Sequence, residues 1–174
     1  MIVRITRAVL GSSNNARTGI MAISQSAGTP QSSPLTGVAT GNTLLYSGTV
    51  YRGDGSWVRQ QRTALGVEAN MTNSIPNPPA GGFPKYLRLR RVGNVFQAAV
   101  SDNGTTWSES DNTGNATVVL GNAYVGLIVS GNADNVGEVD FTEMYFGSGT
   151  NMGAATVTTQ TAGMNKIDFR WLQQ

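Results

Sequence analysis

Residues 86–101, "YLRLRRVGNVFQAAVS", decide how this chain folds. Tyr86, Arg88 and Arg90 alternate with Leu87 and Leu89, and after Gly93-Asn94 the run "VFQAAVS" is again strand-like. Successive side chains on a strand point to opposite faces, so a period of two marks a strand with one apolar and one polar face. A two-residue break containing Gly, set between two such runs, is a hairpin signal, because Gly supplies the positive φ of the tight turn. The stretch predicts an antiparallel pair with Leu87 and Leu89 turned toward a core.

The same pattern extends in both directions. "IVRIT" (2–6), "TGIMAIS" (18–24), "TLLYSGTVYR" (43–52) and "SWVRQQRTALG" (56–66) read as strands, the last two joined at "GDG" (53–55). Downstream, "ATVVLG" (116–121), "NAYVGLIVSG" (122–131) and "GEVDFTEMYF" (137–146) follow, and the near-continuous apolar run of the second predicts a central strand. Residues 25–42 and 69–84 read as loops, the latter with four of the six prolines. The tail, 147–174, adds "AATVTTQ" and "KIDFRWL".

Composition agrees. Gly, Ser, Thr and Asn make up about two fifths of the 174 residues, which suits short strands joined by turns. No window carries Ala, Leu, Glu and Lys at helical spacing. The expected class is all-β, a two-sheet antiparallel sandwich with little or no helix. A net charge of +2 is too small to point to nucleic acid. With no Cys and no His, disulfides, Cys/His zinc sites and imidazole-dependent triads are excluded. No run reaches the roughly 18 apolar residues of a membrane span. Arg4 and Arg7 interrupt the N-terminal apolar run, so "MIVRITRAVLGSS" does not read as a signal peptide.

Taken in order, "YLRLRRVGNVFQAAVSDNGTTWSES", "AYVGLIVSG" and "GEVDFTEMYF" resemble the laminin-G-like and concanavalin-A-like lectin modules of bacterial secreted and surface proteins. The resemblance covers about residues 2–146 and implies a jelly roll. It leaves function open, since such folds host enzymes, lectins and inert spacers. Modules of this kind have another strand or two before the position of Ile2, and stop soon after the strand ending at Phe146. The expected division is therefore a sandwich over 1–146 and an extension over 147–174. The extension either completes its own sandwich or pairs with a neighbouring subunit.

Several residues are candidates for chemistry. Glu138, Asp140 and Glu143 form E-x-D-x-x-E, the arrangement β-glucanases of this fold use for their carboxylates. Alternation puts Glu138 and Asp140 on one face, and Glu143 joins them only across a bulge. The bland reading is a solvent-facing row of acids, with Arg88 paired to Glu138 or Asp140 across strands. Trp57, Tyr51 and Tyr46 are the candidate glycan platform, since a ring at a hairpin tip can stack on a sugar. Asp134, Asn132 and Asn135 offer oxygen ligands for Ca²⁺. In "SDNGTTW" (101–107), Asp102 and Gly104 fit a structural turn, with Asp102 capping its amides and Trp107 packed beneath.

These features lead to three functional expectations. The first is a non-catalytic, lectin-like structural or adhesion subunit of a phage virion surface or extracellular appendage, with neighbouring subunits as partners and no cofactor. The second is a carbohydrate-binding module of a secreted glycosidase or surface protein, with a polysaccharide or surface glycan as partner. The third is a β-glucanase using Glu138, Asp140 and Glu143. The first two place the protein outside the cell or on a virion.

Overall fold

The computed structural model describes residues 1–12, 16–24, 45–64, 70–110, 118–120, 123–131, 137–148, 151–155 and 160–161. They are all-β and form two antiparallel sheets packed as a sandwich. In chain order the strands are β1 (Ile2–Val9), β2 (Arg17–Ser24), β3 (Tyr46–Arg52), β4 (Trp57–Arg62), β5 (Asn70–Ser74) and β6 (Lys85–Val92). Then come β7 (Val95–Ser101), β8 (Ser108–Glu109), β9 (Ala123–Ser130), β10 (Glu138–Ser148), β11 (Asn151–Ala155) and β12 (Gln160–Thr161).

One sheet has seven strands in the order β11-β10-β1-β6-β7-β8, with β12 also paired to β10. The other has five, in the order β5-β4-β3-β2-β9. The β6–β7 hairpin turns at Gly93-Asn94, where Gly93 takes φ +60° and Val92 faces Val95. A Gly in the positive-φ region at the first turn position matches the right-handed twist of the flanking strands. The β3–β4 hairpin closes Tyr51 against Trp57 across "GDG". There Asp54 Oδ1 accepts from the Ser56 amide (3.0 Å) and hydroxyl (2.6 Å), which holds the Asp54 carboxyl below its usual range.

Between the sheets, Val3, Ile5, Leu87, Leu89, Phe96, Val139 and Phe141 of the seven-stranded sheet meet Ile20, Ala22, Trp57 and Val129 of the other. The alternation read in "YLRLR" is the reason Leu87 and Leu89 are buried while Tyr86 and Arg88 keep partial access to water. β2, β3 and β4 behave differently. Met21, Tyr46, Val50, Val58 and Ile128 form a second buried cluster with Ile23, on the opposite face of the five-stranded sheet from Ile20 and Ala22. That sheet is buried on both faces, polar residues included: Gln60 and Arg59 have no exposed surface.

Three expectations need correction. β9 is not central; its partner among the described residues is β2 alone, so it ends the sheet order. Its apolar residues serve two faces at once, with Val125 and Leu127 packed on the core between the sheets and Ile128 in the second cluster. Within "ATVVLG", residues 118–120 are not a strand, although Val118 and Leu120 are buried core. The start of the expected loop 69–84 forms β5, paired to β4. Residues 25–42 and "KIDFRWL" lie outside the described residues.

Candidate functional site

The chemistry-bearing side chains gather on the outer face of the seven-stranded sheet, and two bulges bring them there. Between the pairs Arg4–Glu143 and Ile5–Phe141, Thr142 is an extra residue on β10; between Ile5–Phe141 and Arg7–Asp140, Thr6 is an extra residue on β1. Each inserted residue shifts the alternation by one, so Val139 and Phe141 stay in the core while Glu138, Asp140 and Glu143 share the outer face.

All three acids are occupied by arginines of β1. Arg4 Nη1 donates to Glu143 Oε1 at 2.8 Å. Arg7 lies 2.6 Å from Glu138 and 3.8 Å from Asp140. The Arg7 hydrogen bond holds the Glu138 carboxyl below the ordinary range. A general acid in sugar hydrolysis needs the opposite shift, up toward neutrality. Glu143 also accepts from the hydroxyls of Tyr145 (3.2 Å) and Tyr86 (3.5 Å), and the hydrogen bond from Tyr145, with the Glu143 charge second, raises the Tyr145 pKa. The Arg4 guanidinium carbon lies 5.6 Å from the Tyr86 ring centroid.

The row continues across the sheet. Arg88 pairs with Glu109 of β8, not with Glu138 or Asp140, and its guanidinium carbon stands 4.5 Å from the Trp107 ring centroid. The expected cross-strand pair exists with a different partner, because β1 separates β6 from β10. Tyr145, Tyr86 and Trp107, each half-buried, thus interleave with ion pairs on one surface. The sequence holds a signal for Tyr86 in its alternation with Leu87 and Leu89. Tyr145 becomes readable only once the bulge is known.

The other candidates fall elsewhere. Trp57 is 6% exposed and Tyr46 1%, so neither offers a ring face to a sugar. Trp57 packs on Tyr51 with ring centroids 4.5 Å apart, and Phe83 closes edge-on against Tyr51 at 5.2 Å. Tyr46 sits on the opposite face of the same sheet, where its hydroxyl accepts from Gln60 Nε2 at 3.0 Å and burial pushes its pKa up. The three rings are not one platform. In the 101–107 turn, Asn103 Oδ1 accepts from the amides of Thr105 (2.9 Å) and Thr106 (2.8 Å), and Ser101 Oγ from that of Gly104 (2.9 Å). Asp102 does not cap the turn; Lys85 Nζ takes it. Gly104, at φ +73°, lets the turn pass over the Tyr86 ring, and Trp107 lies beneath Arg88 rather than beneath the turn.

Asp134, Asn132 and Asn135 lie outside the described residues. Among the described residues no group of three or more His, Cys, Asp or Glu is placed to hold a metal ion, and no helix is long and apolar enough to cross a membrane. No protein-family model, no curated protein and no solved structure matches the chain, so the sandwich architecture stands without an identified family.

Proposed function

We propose that the chain is a non-catalytic, lectin-like jelly-roll module that works as a structural or adhesion subunit of a larger assembly, of the kind found on a phage virion surface or an extracellular appendage. The observation that carries this reading is strand β9. It runs eight residues, "AYVGLIVS", in unbroken register with β2. It has no charged residue, no proline and no bulge, and no other described strand pairs with its far side. Isolated proteins blunt such edges, because unpaired amides and carbonyls recruit further strands. The edge strands β8 and β5 are short by contrast, two and five residues, and β5 pairs with β4 across a register break. Edge-to-edge addition of a neighbouring subunit on β9 would extend the five-stranded sheet. The ion-paired state of Glu138, Asp140 and Glu143 supports a non-catalytic reading over a glucanase.

Gel filtration with light scattering tests this. A defined oligomer of the 18.3 kDa chain is expected, and Tyr124→Lys, which plants a charge on the β9 edge at a partly exposed side chain outside both buried clusters, is expected to return it to monomer with its β-sheet circular dichroism retained. A wild-type chain that stays monomeric at every concentration would sink the reading. A carbohydrate-binding role is the second reading, favoured by Tyr86, Tyr145 and Trp107 on one exposed sheet face. For it, Trp107→Ala should abolish retention on a polysaccharide column that retards the wild type, whereas no retardation of the wild type ends it.

A further inference from the structure

We propose that the edge of β9 is a slot for a single lent strand, and that a second copy of this chain lends it from residues 166–172, "KIDFRWL". The inference rests on the reading that the chain is a subunit that adds a neighbour at β9, and it names the segment that does the adding. β6 crosses over β2 and β3, and β7 over β3 and β4. Outward from β6 the seven-stranded sheet has β1, β10 and β11 still to come, whereas outward from β2 the five-stranded sheet has β9 alone. The larger sheet therefore reaches past β9 by roughly one to two strand spacings, each about 4.8 Å. No described strand lies opposite that overhang. Two β9 edges cannot meet directly, because each copy's overhang would stand where the other's sandwich begins. A lone extended segment can enter.

The two sides of the slot are apolar and still open to solvent. Met144 and Phe146 alternate onto the core-facing side of β10 and are part-exposed, as are Ala123, Val125 and Leu127 of β9. Phe146 faces Ala123 and Val125 across a cleft between the sheets. A strand laid there needs one apolar face to set against Met144 and Phe146, and backbone amides free to pair with β9. In "KIDFRWL" Ile167, Phe169 and Trp171 alternate with Asp168 and Arg170, which is that pattern. β12 ends at Thr161, on β10 beside Glu138 and Val139, so the described chain ends on the flank where β9 is open, with residues 162–174 still to follow. Antiparallel addition with like faces aligned sets Ile167 opposite Val129, Phe169 opposite Leu127 and Trp171 opposite Val125. The same register sets Leu172 opposite Tyr124 on the other face. Two copies that each lend and each receive close into a dimer, whereas one-way lending builds an open chain.

The chain has no cysteine, so placed thiols read the contact. Full-length Tyr124→Cys and Leu172→Cys chains, refolded from urea as a mixture and oxidised, are expected to form a disulfide-linked pair, while neither links alone. Opposed residues on paired strands stand about 4.5–5.5 Å apart at Cα, within reach of a disulfide. The double variant should run as a linked dimer; a linked monomer would mean that each chain fills its own slot, and overturns the proposal. Phe169→Asp, which puts a charge on the apolar face, should weaken dimerisation at least about tenfold with the β-sheet circular dichroism retained. A dimer that fails to link in the mixture, or that Phe169→Asp leaves as tight as wild type, overturns the lent strand and leaves recruitment at β9 standing. Linkage of Tyr124→Cys alone, which needs two β9 edges in contact, overturns it in the same way. A wild-type chain that stays monomeric at every concentration overturns both.

Discussion

The two sheets of this sandwich solve the same problem in opposite ways. The seven-stranded sheet buries one face and leaves the other to water, and on that wet face every acid of β10 is met by an arginine of β1. The five-stranded sheet is buried on both faces: Ile20 and Ala22 look inward, Met21 and Tyr46 look outward, and all four are at most 1% exposed. Burial on the second face reaches the polar residues too. It lowers the pKa of Arg17 and raises that of Tyr46. One sheet therefore spends its polar residues on cross-strand ion pairs at the surface, and the other carries them as buried groups within a packed layer. The expected energetics follow this division, because buried packing is worth kilocalories per residue and exposed ion pairs fractions of one.

The largest effect should come from the closest approach in the five-stranded sheet. A Cβ built on Gly19 lies 2.0 Å from the Thr49 carbonyl oxygen, with φ at +154°. The obstacle is backbone on the neighbouring strand, not a flexible side chain that can swing away. Gly19→Ala should separate β2 from β3 and cost upward of about 3 kcal/mol, since it exceeds ordinary overpacking. Urea unfolding would read the loss, and a midpoint within error of wild type would mean that the β2–β3 contact is looser than the geometry states.

Truncation on the outward face of the same sheet should come next, and it probes the comparison directly. Met21 has no exposed surface, so Met21→Ala should cost about 2–5 kcal/mol, comparable to Ile20→Ala on the inward face. Val92→Ala, at a side chain 55% exposed on β6, should stay within about 0.5 kcal/mol. If Met21→Ala behaved like Val92→Ala under denaturant, the two sheets would not differ in the way described, and the outward face of the five-stranded sheet would be wet.

The same difference decides how much was legible beforehand. Where one face is wet, the sequence alternates, and β6 with its Gly93-Asn94 turn could be drawn from "YLRLRRVGN" alone. Where both faces are buried, alternation vanishes. "WVRQQR" reads as a half-polar strand, yet all six residues are buried, and no local property of Arg59 or Gln60 announces that. Trp57 follows a hairpin tip, which in isolation reads as exposure; it is Tyr51 across the hairpin and Phe83 from the loop before β6 that enclose it. The position of β9 in its sheet was equally hidden, because an apolar run records that both faces are covered, not how many neighbours the backbone has. In the 101–107 turn two adjacent residues could each cap. The choice of Asn103 over Asp102 goes with Lys85, eighteen positions before Asn103, holding the carboxylate. The acids of β10 were assigned to the correct face only conditionally, since Glu143 depends on Thr142 being bulged, and a bulge is a property of the pair of strands.

The smallest effect belongs to the wet face and concerns pH. Arg7 lowers the Glu138 pKa through a hydrogen bond first and through its charge second. In the unfolded chain that partner is lost and the carboxyl returns to about 4.3. A depressed folded pKa means the folded state binds fewer protons between the two values. The stabilisation is therefore complete above the unfolded pKa and disappears as the pH falls through the folded one. Comparing wild type with Glu138→Gln by thermal unfolding, a small advantage for wild type is expected near pH 7 and none in strong acid. The advantage should shrink as salt is raised, since both partners are open to solvent and screened. A difference between the two proteins that persisted unchanged into acid, or was indifferent to salt, would mean that Glu138 contributes by packing rather than by charge. Its face of the sheet would then resemble the five-stranded sheet more than it contrasts with it.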